Sequence, residues 1–154
     1  MIDKQAFEAM RKEIEAFDDY REQLIKRARD VLKDSKASIY SVHRGDLKNA
    51  KELLASAKKG INEIEGLITK DVHLAEVGAY AEALEEYAEA ACYYGFTTTG
   101  KLPTAKELGI DTDVYLPGLC DLVGSDYCGG KAPGTSRNAF GRGRNAFGQT
   151  GNES

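Results

Sequence analysis

The chain has 154 residues, 42% of them hydrophobic and 30% charged, with a net charge of −4. This composition suits one domain with a modest core and excludes collagen, a lone coiled coil and a wholly disordered chain. The glycines are unevenly spread, with nine in residues 1–124 and seven in residues 125–154. The first part has 17 basic and 23 acidic residues, net −6, and the second has 4 and 2, net +2. The two parts therefore belong to different compositional classes.

The cysteines and the N-terminal sequence indicate the cellular setting. Cys92, Cys120 and Cys128 are odd in number and include no C-x-x-C pair. Met1 is not followed by a basic and then apolar signal segment, and no apolar run approaches the roughly 18 residues that a membrane span needs. We therefore expect a cytoplasmic protein with free thiols and no membrane partner.

Residues 2–44 contain neither glycine nor proline, and their apolar residues follow a helical period. Apolar residues recur there mostly three and four apart: Phe7, Met10, Ile14, Phe17, Leu24, Ile25, Ala28, Val31, Leu32, Ile39 and Tyr40. The pattern predicts one helix about 60 Å long, which needs partner helices along its length. Gly45 is expected to end it, and Asp46 to cap the helix that follows.

Further helices are predicted as far as Val123. The predicted elements are helices at Leu47–Thr69 and His73–Tyr94, a loop at Gly95–Pro103, a capped turn at Thr104–Glu107 and a helix at Val114–Val123, opened by Asp111 or Asp113, with Pro117 in its first turn. No segment alternates with a period of two over a useful length. The fold class is therefore expected to be all-α, an elongated antiparallel helical bundle over residues 1–124.

Residues 125–154 lack this periodicity. Arg-Asn-Ala-Phe-Gly occurs twice, at 137–141 and 144–148, within sequence rich in glycine, serine, asparagine and threonine. Such a segment buries too little apolar surface to offset the entropy of ordering it. We expect a disordered tail that begins directly after Gly124.

Carboxylates cluster on the third predicted helix. The acidic residues are Glu76, Glu82, Glu85, Glu86 and Glu89, and no lysine or arginine lies between Lys70 and Lys101. Glu82, Glu86 and Glu89 share one helical face, which suits a hard cation such as Mg²⁺. An acidic surface made of good helix formers is the simpler interpretation of these residues taken alone.

The second half of the first helix is basic. Between Arg21 and Arg44 lie seven cations and three acids, a local charge of +4. The cations are Arg21, Lys26, Arg27, Arg29, Lys33, Lys36 and Arg44. They can track a phosphate backbone, or they can be a solvated face paired with acidic neighbours.

Five collinear stretches of sequence resemble the translin/Trax family, in particular its archaeal members. Residues 20–30 and 35–44 resemble that family's first helix, and Glu86-Tyr-Ala-Glu-Ala90 its glutamate-bearing helix. Residues 102–109 and 113–124 resemble the loop and helix that follow. The resemblance covers most of residues 10–124 in the family's order.

The resemblance implies an all-α bundle that forms hollow, roughly octameric shells and binds single-stranded RNA or DNA. Trax-type subunits are Mg²⁺-dependent endoribonucleases, and their acids fall by position on Glu86, Glu89 and Asp121. It also implies that the basic stripe guides RNA. The nucleic-acid-binding candidates are Arg21, Lys26, Arg27, Arg29, Lys33 and Arg44.

The chain departs from the family pattern after Gly124. Ser125 stands where the family has a further catalytic glutamate, and the glycine-rich tail stands where it has more helices. On one GC-rich codon choice, a single-base shift turns residues 125–130 into Glu-Arg-Leu-Leu-Arg-Arg, so we hypothesise a frameshift that leaves the domain incomplete. We expect cleavage to be weak or absent in this chain. The alternatives are a noncatalytic translin-like binder, and a genuine RNA-binding tail in which arginine and aromatic residues stack on bases.

Overall fold

The computed structural model describes residues 3–128, with side chains through Gly124, and every regular element in that range is helical. The elements are α1 (Lys4–His43), α2 (Leu47–Ile68), a short 3-10 helix (Val72–Glu76), α3 (Gly78–Thr99), α4 (Ala105–Leu108) and α5 (Thr112–Cys128). This confirms the predicted all-α bundle. The core lies where α1, α2 and α3 pack together, and α5 covers α3.

Side-chain caps and a glycine define the ends of α1, as the sequence predicts. The Asp3 carboxylate accepts a hydrogen bond from the Gln5 amide at the first turn. Gly45 adopts a φ of +78°, a left-handed conformation that favours glycine and ends the helix. The Asp46 carboxylate then caps α2 by accepting from the Asn49 amide at 3.1 Å.

Small residues let α1 and α2 approach each other closely. Ser38 is fully buried on α1, at the contact line between the two helices, which we call the seam. Its hydroxyl donates a hydrogen bond to the Ala50 carbonyl of α2 at 3.0 Å. A Cβ added to Gly60 of α2 would lie 2.7 Å from Val31 Cγ2, closer than real Cβ atoms approach. The seam is therefore set by side-chain size, and it holds the second half of α1 firmly in the bundle.

The third helix differs from the prediction at both ends. Its expected start at His73 is wrong because the Asp71 carboxylate caps a separate 3-10 helix, and Val77, with extended backbone, precedes α3. The loop predicted from Gly95 onward is also wrong in its first part, because α3 continues to Thr99. The Thr99 hydroxyl donates a hydrogen bond to the Gly95 carbonyl one turn earlier. Gly100, with a φ of +71°, ends the helix instead.

The last two helices frame the opposite side of α3. Thr104 and Glu107 form the predicted capping box at the start of α4. Helix α5 begins at Thr112 and continues to Cys128, so Pro117 lies inside it and four residues of the predicted tail are helical. The rest of the predicted tail, residues 129–154, lies outside the described residues.

The apolar stripe of α1 is buried over part of its length, which differs from the sequence prediction. Phe7, Met10 and Ile14 are between 50% and 63% exposed, because α1 has 40 residues and α2 only 22. The packing of the core reaches Phe17, which is partly buried against it, so about the first third of α1 extends past the bundle. Tyr40 is also exposed, at 64%, and does not belong to the core.

Candidate functional site

The exposed face of α1 carries a line of cations, which we call the basic ridge. The basic ridge consists of Lys26, Arg29, Lys33 and Lys36 of α1 and of Arg44, which directly follows the helix. The first three recur three and four residues apart and are all exposed, and no salt bridge within the described part of the chain involves them. At 1.5 Å per residue, the ridge runs for about 27 Å along one rigid helix.

Two of the predicted nucleic-acid-binding residues do not lie on this line. Arg27 faces α2, where its Nε lies 3.0 Å from Glu63 Oε2. Arg21 is exposed, but it lies seven residues before the buried Ala28 and therefore on the packed side of α1. Lys26, Arg29, Lys33 and Arg44 thus lie along one face, whereas Arg21 and Arg27 lie off that line, and Arg27 shares grooves with Lys26 and Lys33.

Two shallow grooves run between α1 and α2, and each gains a cation from α2 or from the turn that follows it. Lys70 lines a groove of about 490 Å³ with Lys26 and Arg27, and Lys59 lines one of about 280 Å³ with Lys33. Sequence reasoning missed Lys59 and Lys70, although Lys59, Glu63, Gly66 and Lys70 recur at spacings of four, three and four. Acidic side chains offset the groove cations: Asp30, Asp34 and Glu63. The grooves are therefore less suited to a phosphate chain than the ridge.

The acidic cluster of α3 lies against α1. Glu82 is exposed, whereas Glu85, Glu86 and Glu89 are half-buried. Lys36 Nζ of the basic ridge lies 3.2 Å from Glu86 Oε1. The ammonium therefore neutralises one of the two glutamates that the family resemblance assigns to catalysis.

Asp121, the third predicted acid, lies on the helix that crosses α3. A Cβ on Gly118 of α5 would lie 2.5 Å from the Glu85 carbonyl oxygen and 3.2 Å from the Glu89 amide nitrogen. Asp121 follows three residues later, one helical turn from this crossing, and its side chain is exposed. The topology therefore places it on the helix next to Glu86 and Glu89.

These acids do not form a complete cation site in the part of the chain that the structure describes. Among residues 3–124, no three His, Cys, Asp or Glu side chains form a group that fits a metal ion. The side chain of Ser125, at the position where the family resemblance expects a further acid, and that of the adjacent Asp126 are outside the described set. Mg²⁺ binding by Glu86, Glu89 and Asp121 therefore stays a prediction.

Of the three cysteines, the structure describes the side chains of Cys92 and Cys120. Cys92 is fully buried, and burial raises the pKa of its thiol, an effect that the Tyr115 hydroxyl partly opposes through a hydrogen bond. The thiolate is the nucleophilic form, so a raised pKa makes Cys92 unreactive. Cys120 is exposed on α5.

No helix within residues 3–128 combines the length and apolar character required to cross a membrane.

Comparisons with known proteins point to one family. A profile of the Translin family matches residues 19–125. An uncharacterized protein of Methanocaldococcus jannaschii is 31% identical over 112 residues, which are 70% of this chain and 48% of that protein. The crystal structure of apo-NeC3PO superposes with a TM-score of 0.71 and 26% identity over 80% of this chain and 64% of that one. The chain therefore spans about half the length of the curated relative and less than two thirds of the solved structure.

Proposed function

The chain belongs to the Translin family, and we propose that it binds single-stranded RNA or DNA along the basic ridge of α1. The observation that supports this is the unpaired run of Lys26, Arg29 and Lys33 on one exposed line. A nucleic acid bound there exchanges condensed counterions for protein cations, which drives binding without base contacts. The acidic body confines this attraction to the ridge.

Salt dependence of binding tests this proposal. Each cation that contacts a phosphate adds about 0.7 to the slope of log affinity against log salt for a single strand. We expect a Lys26→Gln/Arg29→Gln/Lys33→Gln variant to lose about two units of slope in fluorescence anisotropy with a labelled RNA. Lys101→Gln, an exposed cation in the loop after α3, is the matched control and leaves the slope unchanged. Unchanged binding in the triple variant would contradict the proposal.

Mg²⁺-dependent endoribonuclease activity is the second candidate function. It is favoured by the half-buried Glu86 and Glu89 beside the helix that carries Asp121. The described side chains alone do not complete a cation site, so we derive no cleavage step from them. Incubation of single-stranded RNA with Mg²⁺ and with a Glu86→Ala/Glu89→Ala variant tests the assignment. Cleavage that disappears in the variant supports it, cleavage that persists contradicts it, and binding without cleavage favours the noncatalytic binder.

We also propose that the chain assembles with further copies of itself through the exposed N-terminal third of α1. Phe7, Met10 and Ile14 continue the seam that Leu24 and Ala28 bury within the chain, with spacings of three and four.

Sedimentation velocity tests this assembly. Ile14→Glu places a charge in the apolar stripe and is expected to shift the protein to a smaller species. Leu116→Glu changes an exposed leucine on α5 and is the matched control. Identical sedimentation of Ile14→Glu and the unmodified chain would show that this stripe is not the interface.

A further inference from the structure

Tyr40 continues the line of the basic ridge, and we propose that its ring is a stacking platform for a base of the bound single strand. This inference rests on the proposed binding function and assigns a role that charge alone does not supply. Tyr40 lies four residues after Lys36 and four before Arg44. On α1 these spacings place the three side chains one above another on the same face.

The ring of Tyr40 is available to a ligand. Its exposed fraction is 64%, and its hydroxyl has no hydrogen-bond partner among the residues that the structure describes. The tyrosines of the core differ, since Tyr93 is buried with its hydroxyl 3.1 Å from His43 Nδ1, and the Tyr115 hydroxyl donates to the Pro103 carbonyl. Tyr40 therefore neither packs in the core nor completes an internal polar network.

The backbone beneath Tyr40 is held firmly, which suits a platform. Ser38 and Ser41 on either side are fully buried, and the Ser41 hydroxyl accepts a hydrogen bond from Asn49 Nδ2 at 2.8 Å. A tyrosine has two side-chain torsions, so fixing its ring against a base costs little conformational entropy. A rigid helix with an exposed aromatic side chain is thus prepared for stacking.

The two cations next to Tyr40 have partners within the protein, whereas the cations in the first half of the ridge do not have one among the described residues. Lys36 pairs with Glu86, and Arg44 Nη2 donates to the Ser41 hydroxyl at 3.3 Å. Lys26, Arg29 and Lys33 have no such partner in the described chain. We infer a division along α1, in which the first half of the ridge attracts phosphates and the second half holds a base. Unpaired bases present open π faces, so the platform favours a single strand over a duplex.

The test compares two probes on three proteins. The probes are an oligothymidylate of about 12 nucleotides, longer than the ridge at about 3.4 Å per stacked nucleotide, and an abasic strand of equal length. We expect the unmodified chain and Tyr40→Phe to bind the thymidylate about tenfold more tightly than the abasic strand. Tyr40→Leu should lose that preference while its salt slope stays the same, because no cation is removed.

The outcomes separate the two proposals. A Tyr40→Leu variant that still prefers the thymidylate overturns the stacking platform and leaves the ridge proposal standing. Absence of salt-dependent binding of either probe to the unmodified chain overturns the binding function itself. Because Tyr40 is exposed, Tyr40→Leu is expected to keep the thermal unfolding midpoint, which excludes loss of fold as the cause of weaker binding.

Discussion

Lys36 Nζ lies 3.2 Å from Glu86 Oε1 and thereby joins the basic ridge of α1 to the acidic cluster of α3. The lysine side chain is 58% exposed and the glutamate 26%, so water screens the pair and its contribution to stability is small, up to about 1 kcal/mol. Its consequence is local: the ammonium occupies the space beside Glu86 that a cation ligand would need.

Removal of this ammonium should favour cation binding if Glu86 is a metal ligand. For Lys36→Gln we expect Mg²⁺ to bind about tenfold more tightly, because a positive charge close to the carboxylate is lost. Isothermal titration with Mg²⁺ measures the change. Glu86→Gln in the same background is the control and should abolish the gain. Equal Mg²⁺ affinity in Lys36→Gln and the unmodified chain would remove Glu86 from the predicted metal ligands.

Gly118 sets the distance between α5 and α3. Gly118→Ala places a Cβ against the Glu85 carbonyl, which is backbone and cannot rotate away, so α5 must shift. We expect the free energy of unfolding to fall by about 1–3 kcal/mol, as for other overpacked sites. Urea denaturation followed by circular dichroism measures it.

A glycine without neighbours gives the matched control for Gly118. Gly66→Ala on α2 meets nothing within 4 Å and should raise the free energy of unfolding by about 0.5–1 kcal/mol, since alanine is the better helix former. Opposite signs for the two variants are the expected result. A neutral Gly118→Ala would show that α5 is free to move away from α3.

Buried serines on α1 should differ in their response to alanine. The Ser35 hydroxyl has no hydrogen-bond partner among the described residues, whereas the Ser38 hydroxyl donates to the Ala50 carbonyl. We expect Ser35→Ala to stabilise the fold by about 1 kcal/mol and Ser38→Ala to destabilise it by a similar amount. Thermal unfolding of the two variants checks the signs, and a loss of stability in Ser35→Ala would reveal a partner for that hydroxyl.

The two described cysteines should react at very different rates. Burial raises the pKa of the Cys92 thiol, so little thiolate forms at pH 8, and the fold also blocks access. In a Cys128→Ser background, we expect Ellman's reagent to modify Cys120 rapidly and Cys92 only after unfolding. Because the pKa is raised, any reaction of folded Cys92 should increase as pH rises above about 9. Equal rates for both thiols at pH 8 would contradict this account.

Local patterns in the sequence were enough to predict α1, α2 and the capping box of α4. Periodicity, caps and glycines act over a few residues, and the helix ends at Gly45 and Thr104 follow from them. The start of α3 depends on a competing 3-10 helix capped by Asp71, which propensity does not reveal. The exposure of Phe7 and Tyr40 depends on where α2 and α3 lie, which periodicity of α1 alone cannot give.

In the candidate site too, features that depend on local sequence were predictable and features that depend on tertiary packing were not. The cations of α1 were evident from the sequence, although Arg21 and Arg27 were not separated from the ridge. The Lys36–Glu86 pair joins residues 50 apart and depends on the packing of α1 against α3. Lys59 and Lys70 join the grooves because α2 lies antiparallel to α1, a tertiary relationship. Tyr40 falls in the apolar stripe of α1 by sequence, and its exposure depends on how the other helices pack.

The part of α1 that extends past the bundle has a consequence for local stability. An isolated helix of about a dozen residues is marginal in water, because nucleation is costly and no packing compensates. Amide hydrogens of residues 7–16 should therefore exchange with solvent far faster than those of residues 24–42, whose opening requires the core to separate. If further copies of the chain cover Phe7 and Ile14, protection of these amides will rise with protein concentration. One helix would then fold in two stages, its second half with its own chain and its first half with its neighbour.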